Sequence, residues 1–170
     1  QGPVALIALY DNPADKSQTS DVVQLTREYF VNGKKVDSLK TGDIVEVRLT
    51  PTFSKDAPAG AYLIEDSLPS GLKFTSLIDQ FSPWFSSCWQ GYPYEVDGQR
   101  IKFTADRYFQ DPKIFGNPYA PNCDTMSYLS YRARVSTLGE FRLEGALIQS
   151  IESPDIKNFS ISTGMIRIEE

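Results

Sequence analysis

Histidine, the side chain that most often moves protons near neutral pH, is absent from the 170 residues. That removes the Ser-His and Cys-His nucleophile systems and the usual catalytic zinc ligands. Carboxylates, two cysteines and many aromatics remain. Glu65 and Asp66 are adjacent carboxylates, the residue type that glycoside hydrolysis uses in pairs. Neighbours on a strand point to opposite faces, so this pair does not converge on one substrate. Asp11, Asp15, Asp21, Asp106, Asp111 and Asp124 carry oxygens of the kind calcium takes, but they follow no fixed ligand pattern. They read as solvated turn residues. No catalytic residue, metal site or cofactor is expected, and the chain is read as a non-enzyme.

Cys88 and Cys123 are too few for a thiolate zinc site. Both lie in loop-like surroundings rich in Pro, Asn, Ser and Tyr. The leading reading is a disulfide, which in the chain-entropy model adds about 4 kcal/mol for a loop of this length. The alternative is two unrelated buried thiols. A bridge would place the chain in an oxidising compartment. An isopeptide bond would need a lysine facing Asn or Asp in a buried triad, which sequence does not display.

Around Cys88 lies an aromatic run of Phe81, Trp84, Phe85, Trp89, Tyr92 and Tyr94. Such side chains suit a hydrophobic docking patch or a sugar-stacking platform. The leading reading is a mini-core under a long loop tied by Cys88, with the docking patch and then the sugar platform as alternatives.

The charge balance narrows the partners. A net charge of -5 opposes nucleic acid and polybasic membrane contact. No apolar run reaches the roughly 20 residues that span a bilayer. Gln1-Gly2-Pro3 reads as the cut end of a longer protein. The 41% apolar and 23% charged residues suit a globular domain, and 12% aromatics with many Val, Ile and Thr favour strands.

The elements that must position these groups are short strands between turn signals. Val4–Tyr10 and Val22–Val31 read as strands. Asn32-Gly33 is a hairpin turn, and Lys35–Asp37 is its returning arm. Thr41-Gly42-Asp43 is a turn before Ile44–Thr50, where Val45, Val47 and Leu49 alternate with Glu46 and Arg48. Residues 51–60 read as a loop, Ala61–Glu65 as a strand, Asp66–Gly71 as a bend and Leu72–Leu77 as a strand. Residues 78–93 read as a long loop or insertion. Tyr94–Val96 and Arg100–Thr104 form a second hairpin about Asp97-Gly98, with Ile101 and Phe103 inward. Residues 106–123 are irregular, with room for a helical turn near Tyr108. On Met126–Val135 the residues Leu129, Tyr131, Ala133 and Val135 share one face, and Arg132 and Arg134 the other. Leu138-Gly139 is a turn, and Phe141–Ser150 and Ser160–Ile168 are the last strands. No helical period runs for a useful length. The expectation is one domain over residues 1–170, an all-β antiparallel sandwich with Greek-key links.

Several of these segments, in this order, carry a resemblance. They are Leu25-Thr-Arg-Glu-Tyr-Phe30, Val36–Thr50, Ile64-Glu-Asp-Ser-Leu-Pro-Ser-Gly-Leu72 and Ile101–Arg107. Tyr128–Phe141, with its Tyr-Arg-Ala-Arg and Leu-Gly-Glu-Phe pieces, and Glu152–Ile156 complete the series. The chain resembles the C-terminal macroglobulin-like domain of bacterial alpha-2-macroglobulins, from about residue 22 to the end outside the aromatic insertions. The matched residues are framework residues. Gly42 is free to take positive φ, Pro69 and Gly71 shape a bend, and Tyr131 and Ala133 are core.

The resemblance implies an extracytoplasmic protease trap, in the periplasm or on the cell surface and tethered through its parent, in which a cut bait segment triggers collapse around the protease. The bait and any thioester lie in other domains: Cys88 precedes Trp-Gln-Gly and Cys123 precedes Asp-Thr-Met, unlike a thioester motif. This domain would contribute packing, a latch against the thioester domain or a docking face. Its partners would be other domains of the same polypeptide and a protease or cell-surface protein. The alternative is an immunoglobulin-like stalk or adhesin domain of a bacterial surface protein.

Overall fold

A computed structural model describes residues 19–78, 90–107, 128–160 and 164–170. Every regular element among them is a strand. In chain order these are β1 (Val23–Val31), β2 (Lys34–Lys35), β3 (Ser38–Lys40), β4 (Ile44–Phe53), β5 (Ala61–Ser67), β6 (Leu72–Leu77) and β7 (Gln90–Asp97). Then follow β8 (Arg100–Asp106), β9 (Leu129–Val135), β10 (Gly139–Leu143), β11 (Leu147–Ser150), β12 (Lys157–Phe159) and β13 (Gly164–Glu169).

Two five-stranded sheets carry the fold, in the orders β2-β1-β4-β9-β6 and β12-β11-β5-β8-β7. A third sheet, β10-β13-β3, closes one side. The chain passes from one large sheet to the other at β4–β5, β5–β6, β6–β7 and β8–β9. Each crossing is forced by alternation, because a strand with one apolar face must cover the apolar face of another sheet. Val45, Val47 and Leu49 of β4, with Tyr131 and Ala133 of the adjacent β9, share one buried core with Tyr62 and Ile64 of β5 and Ile101 and Phe103 of β8 from the other large sheet.

The turns follow their residues. Asn32 and Gly33 take φ of 50° and 76°, as the two-residue hairpin requires, and Gly42 takes 92°. Gly71 is glycine for another reason. A Cβ there would stand 2.5 Å from both Ile168 Cδ1 and Phe141 Cε2. The bend before β6 and the segment after β9, two parts of the sequence resemblance, are thus pressed together. Ser136 N–H adds a 2.9 Å hydrogen bond to the Gly71 carbonyl.

Several boundaries differ from expectation. The returning arm after Asn32-Gly33 pairs for only two residues, and Ser38–Lys40 then leaves to run parallel with β13. β4 continues through Pro51 to Phe53 instead of ending in a loop. Among the described residues β9 pairs with β4 only as far as Leu49, while Pro51 keeps its place opposite Leu25 of β1. β7 begins at Gln90, inside the stretch read as loop, because Gln90–Pro93 pair with Phe103–Asp106. The long strand expected over Phe141–Ser150 is two strands in different sheets. The break falls at Gly145, where a Cβ would come within 2.8 Å of the Ser160 carbonyl oxygen. Residues 108–127, including the helical turn expected near Tyr108, and the strand Val4–Tyr10 lie outside the described residues.

Candidate functional site

Alternation that places Tyr62 and Ile64 in the core carries Asp66 there too, and alternation from Leu25 carries Arg27 inward. Asp66 is fully buried and the Arg27 side chain is 2% exposed. Arg27 Nη1 donates to Asp66 Oδ1 at 2.5 Å, and the Tyr131 hydroxyl donates to Asp66 Oδ2 at 2.7 Å. The other guanidinium nitrogen, Nη2, donates to the Glu144 carbonyl at the crossing between β10 and β11. One carboxylate therefore joins β5 of the second sheet to β1 and β9 of the first.

Burial pushes the Asp66 carboxyl up from the ordinary aspartate range, while Arg27, Tyr131 and the Ser67 N–H pull it back. Burial draws the Arg27 guanidinium down, but the Asp66 charge and hydrogen bond outweigh it and the net direction is up. Burial also raises Tyr29 and Tyr131, which line the same cluster. Both terminal guanidinium nitrogens of Arg27, both Asp66 oxygens and the Tyr131 hydroxyl are turned on neighbours in the protein. The cluster acts as a clamp between sheets.

A second anchor holds the loop from Ser54 to Gly60. Arg107 Nη2 donates to the Ser54 carbonyl at 2.8 Å, and the Arg107 N–H donates to the Gly60 carbonyl at 2.9 Å. The Tyr62 hydroxyl donates to the Pro58 carbonyl at 2.7 Å, and Phe53 packs edge-on to Tyr62 with centroids 4.8 Å apart.

The outer face of the first sheet is built differently. Arg48 lies between two rings, its guanidinium 3.9 Å from the Phe30 centroid and 4.4 Å from that of Tyr128. Its Nε donates to Glu46 at 2.7 Å. Cation–π contact and ion pairing hold this side chain in place.

The sequence-derived candidates fall unevenly on this frame. Cys88, Cys123, Phe81, Trp84, Phe85 and Trp89 lie outside the described residues. Tyr92 and Tyr94 stand on β7, the end strand of the second sheet among the described residues. The ladder shifts register between Pro93 and Glu95, and the extra residue at the bulge is Tyr94, 67% exposed. A bulge re-aims a side chain in this way. Tyr92 is half-buried and Val96 is 38% exposed. Pro93 and the bulge also blunt the edge against further strand pairing.

Glu65 and Asp66 stand on opposite faces of β5 as expected. Glu65 lies 3.7 Å from Arg100 on the outside, while Asp66 is in the core. Of the aspartates weighed for calcium, Asp21 and Asp106 are described, and among the described residues no three Asp, Glu or Cys groups gather as a metal site would require. Asp66, expected at the start of a bend, lies in β5, and the Arg27–Asp66–Tyr131 clamp is not among the sequence-derived candidates. The signal was present: the period of two through Tyr62 and Ile64 reaches Asp66, and the same period through Leu25 reaches Arg27.

Comparison with known proteins follows the fold. The profile of the bacterial alpha-2-macroglobulin MG10 domain family matches residues 23–155. No curated protein matches the chain. The fold is similar to native alpha-2-macroglobulin from Escherichia coli, solved from domain MG7 to the C-terminus. That match has 19% identity and a TM-score of 0.61, and covers 88% of this chain and 24% of that one. A Salmonella alpha-2-macroglobulin mutant is similar at 22% identity and TM-score 0.61, over 89% of this chain and 9% of that one. Trypsin-activated alpha-2-macroglobulin from Escherichia coli is similar at 20% identity and TM-score 0.60, over 88% and 10%. The chain thus spans a quarter or less of the length of these solved chains. With its framework segments, its alternating core and the profile match in agreement, the chain belongs to the bacterial alpha-2-macroglobulin MG10 domain family.

Proposed function

We propose that the chain is a non-catalytic interaction domain of an alpha-2-macroglobulin-like, protease-trapping protein of the bacterial envelope, acting outside the cytoplasm. The profile match over residues 23–155 carries this reading. The similarity to a trypsin-activated relative supports it. The chemistry of the interior agrees: Arg27, Asp66 and Tyr131 are spent on one another between two sheets. The domain's work is to hold its shape and present faces to other domains of the same polypeptide. Residues 1–170 act as one domain in this reading, and Cys88 and Cys123 form a disulfide that the oxidising envelope permits.

The test compares the chain with the full-length gene product. The isolated chain leaves trypsin activity unchanged and hydrolyses neither peptide nor glycoside substrates. The full-length protein removes trypsin's activity toward large protein substrates. Hydrolysis or inhibition by the chain alone, or trypsin left untouched by the full-length protein, would overturn the reading.

A further inference from the structure

On β9 the residues Leu129, Tyr131, Ala133 and Val135 go to the core, which turns Arg132 and Arg134 outward, both exposed. In register, Arg134 lies between Lys73 of β6 and Ile44 of β4. Arg132 lies between Ser76 and Glu46. With strands about 4.8 Å apart, the row Lys73–Arg134–Ile44 crosses about 10 Å of the outer face of the first sheet. Ile44 is 49% exposed at its end.

The carboxylates beside this row are already taken. Glu46 is the cross-strand neighbour of Arg132, yet it accepts from Arg48 at 2.7 Å. The two rings that hold Arg48 fix that choice. Asp43 Oδ2 accepts from the Lys40 N–H at 3.0 Å, a bond that directs the carboxylate without cancelling its charge. Lys73, Arg132 and Arg134 form no ion pair among the described residues. By contrast Lys35, Arg100, Lys102 and Arg167 each meet a glutamate, at 2.6, 3.7, 2.7 and 3.8 Å. In a chain of net charge -5 a cluster of three unanswered cations is a local reversal of sign.

We propose that Lys73, Arg132, Arg134 and Ile44 form a docking face for an acidic, partly apolar face of another domain of the same polypeptide. Charge complementarity selects an acidic partner, and complementary charge sets register and approach. Three cations around an exposed isoleucine fall short of the 4–8 that an anionic bilayer surface takes, and the chain's net charge opposes a polyanion. The identity of the partner domain rests on the functional reading above; the face itself rests on register and charge.

The test uses the full-length protein and a water-soluble carbodiimide, which joins an amine to a carboxylate in contact with it. The expected product is an amide between Lys73 and an Asp or Glu outside residues 1–170, found by peptide mass spectrometry. Added in trans, the chain binds the remaining domains with an affinity that falls about tenfold or more in the Lys73→Glu/Arg132→Glu/Arg134→Glu variant. The Lys73→Arg/Arg132→Lys/Arg134→Lys variant retains it, and thermal melting shows that both variants fold. Lys73 joined to nothing beyond the chain, or binding indifferent to charge reversal, overturns the proposal. Binding to vesicles of phosphatidylethanolamine and phosphatidylglycerol that the charge reversal abolishes also overturns it. Protease trapping is read in the same samples. A protein that traps without the Lys73 product sinks only this face, and one that shows the product without trapping sinks only the functional reading.

Discussion

The Tyr131 hydroxyl of β9 donates to Asp66 Oδ2 of β5 at 2.7 Å, across the core between the two large sheets. The other oxygen of the same carboxylate holds Arg27. A buried ion pair gains its worth from being complete, because each charge left alone keeps its desolvation penalty. Asp66→Ala strands Arg27 and is expected to cost about 3–5 kcal/mol, read from urea unfolding. Arg27→Met combined with Asp66→Leu costs much less than the two single changes summed. Additive costs would disprove the clamp.

Alkaline pH loosens the same region. Burial raises Tyr131, Tyr29 and Tyr62 above the ordinary tyrosine value. A group whose folded value is raised contributes stability that is present in full below its unfolded value, about 10, and is lost as pH rises through the folded value. The denaturation midpoint should therefore hold up to about pH 10 and fall above it. Tyrosinate absorbance should lag behind a fully exposed titration until the protein unfolds. A midpoint that climbs above that pH contradicts the burial of these hydroxyls.

Gly71 faces Phe141 and Ile168 with no space for a methyl group. Gly71→Ala overpacks this contact, and overpacking costs about 1–3 kcal/mol. Phe141→Leu in the same chain should recover part of that loss. Gly164 meets nothing within 4 Å of an added Cβ, so Gly164→Ala serves as the neutral comparison. Equal melting temperatures for Gly71→Ala and Gly164→Ala would refute the tight contact.

The Cys88–Cys123 bridge is tested by intact mass with and without reductant and by thiol counting in denaturant. The expected count is zero before reduction. Reduction lowers stability by about 4 kcal/mol in the chain-entropy model. Two reactive thiols in the unreduced protein would end the idea.

The sequence by itself determined where strands run and which way their side chains face. The period of two in Ile44–Thr50 and in Leu129–Val135 needs only local geometry, since successive Cβ atoms alternate across a strand. Asn32-Gly33 and Gly42 announced their turns because positive φ is a local demand. The framework segments were enough to carry a family resemblance, which the profile match bears out.

Only the tertiary structure decided which strands are neighbours and where a strand stops. Pro51 stays in β4 opposite Leu25 of β1, and Phe141–Ser150 divides at Gly145, which meets the Ser160 carbonyl. Asp66 and Arg27 are far apart in sequence, and their pairing exists only once two sheets face each other. The cations at 73, 132 and 134 come together through register, and with Glu46 held by Arg48 none of them meets a carboxylate among the described residues. Local chemistry sets the facing of a residue, while long-range pairing sets its company, and function on this surface depends on the company.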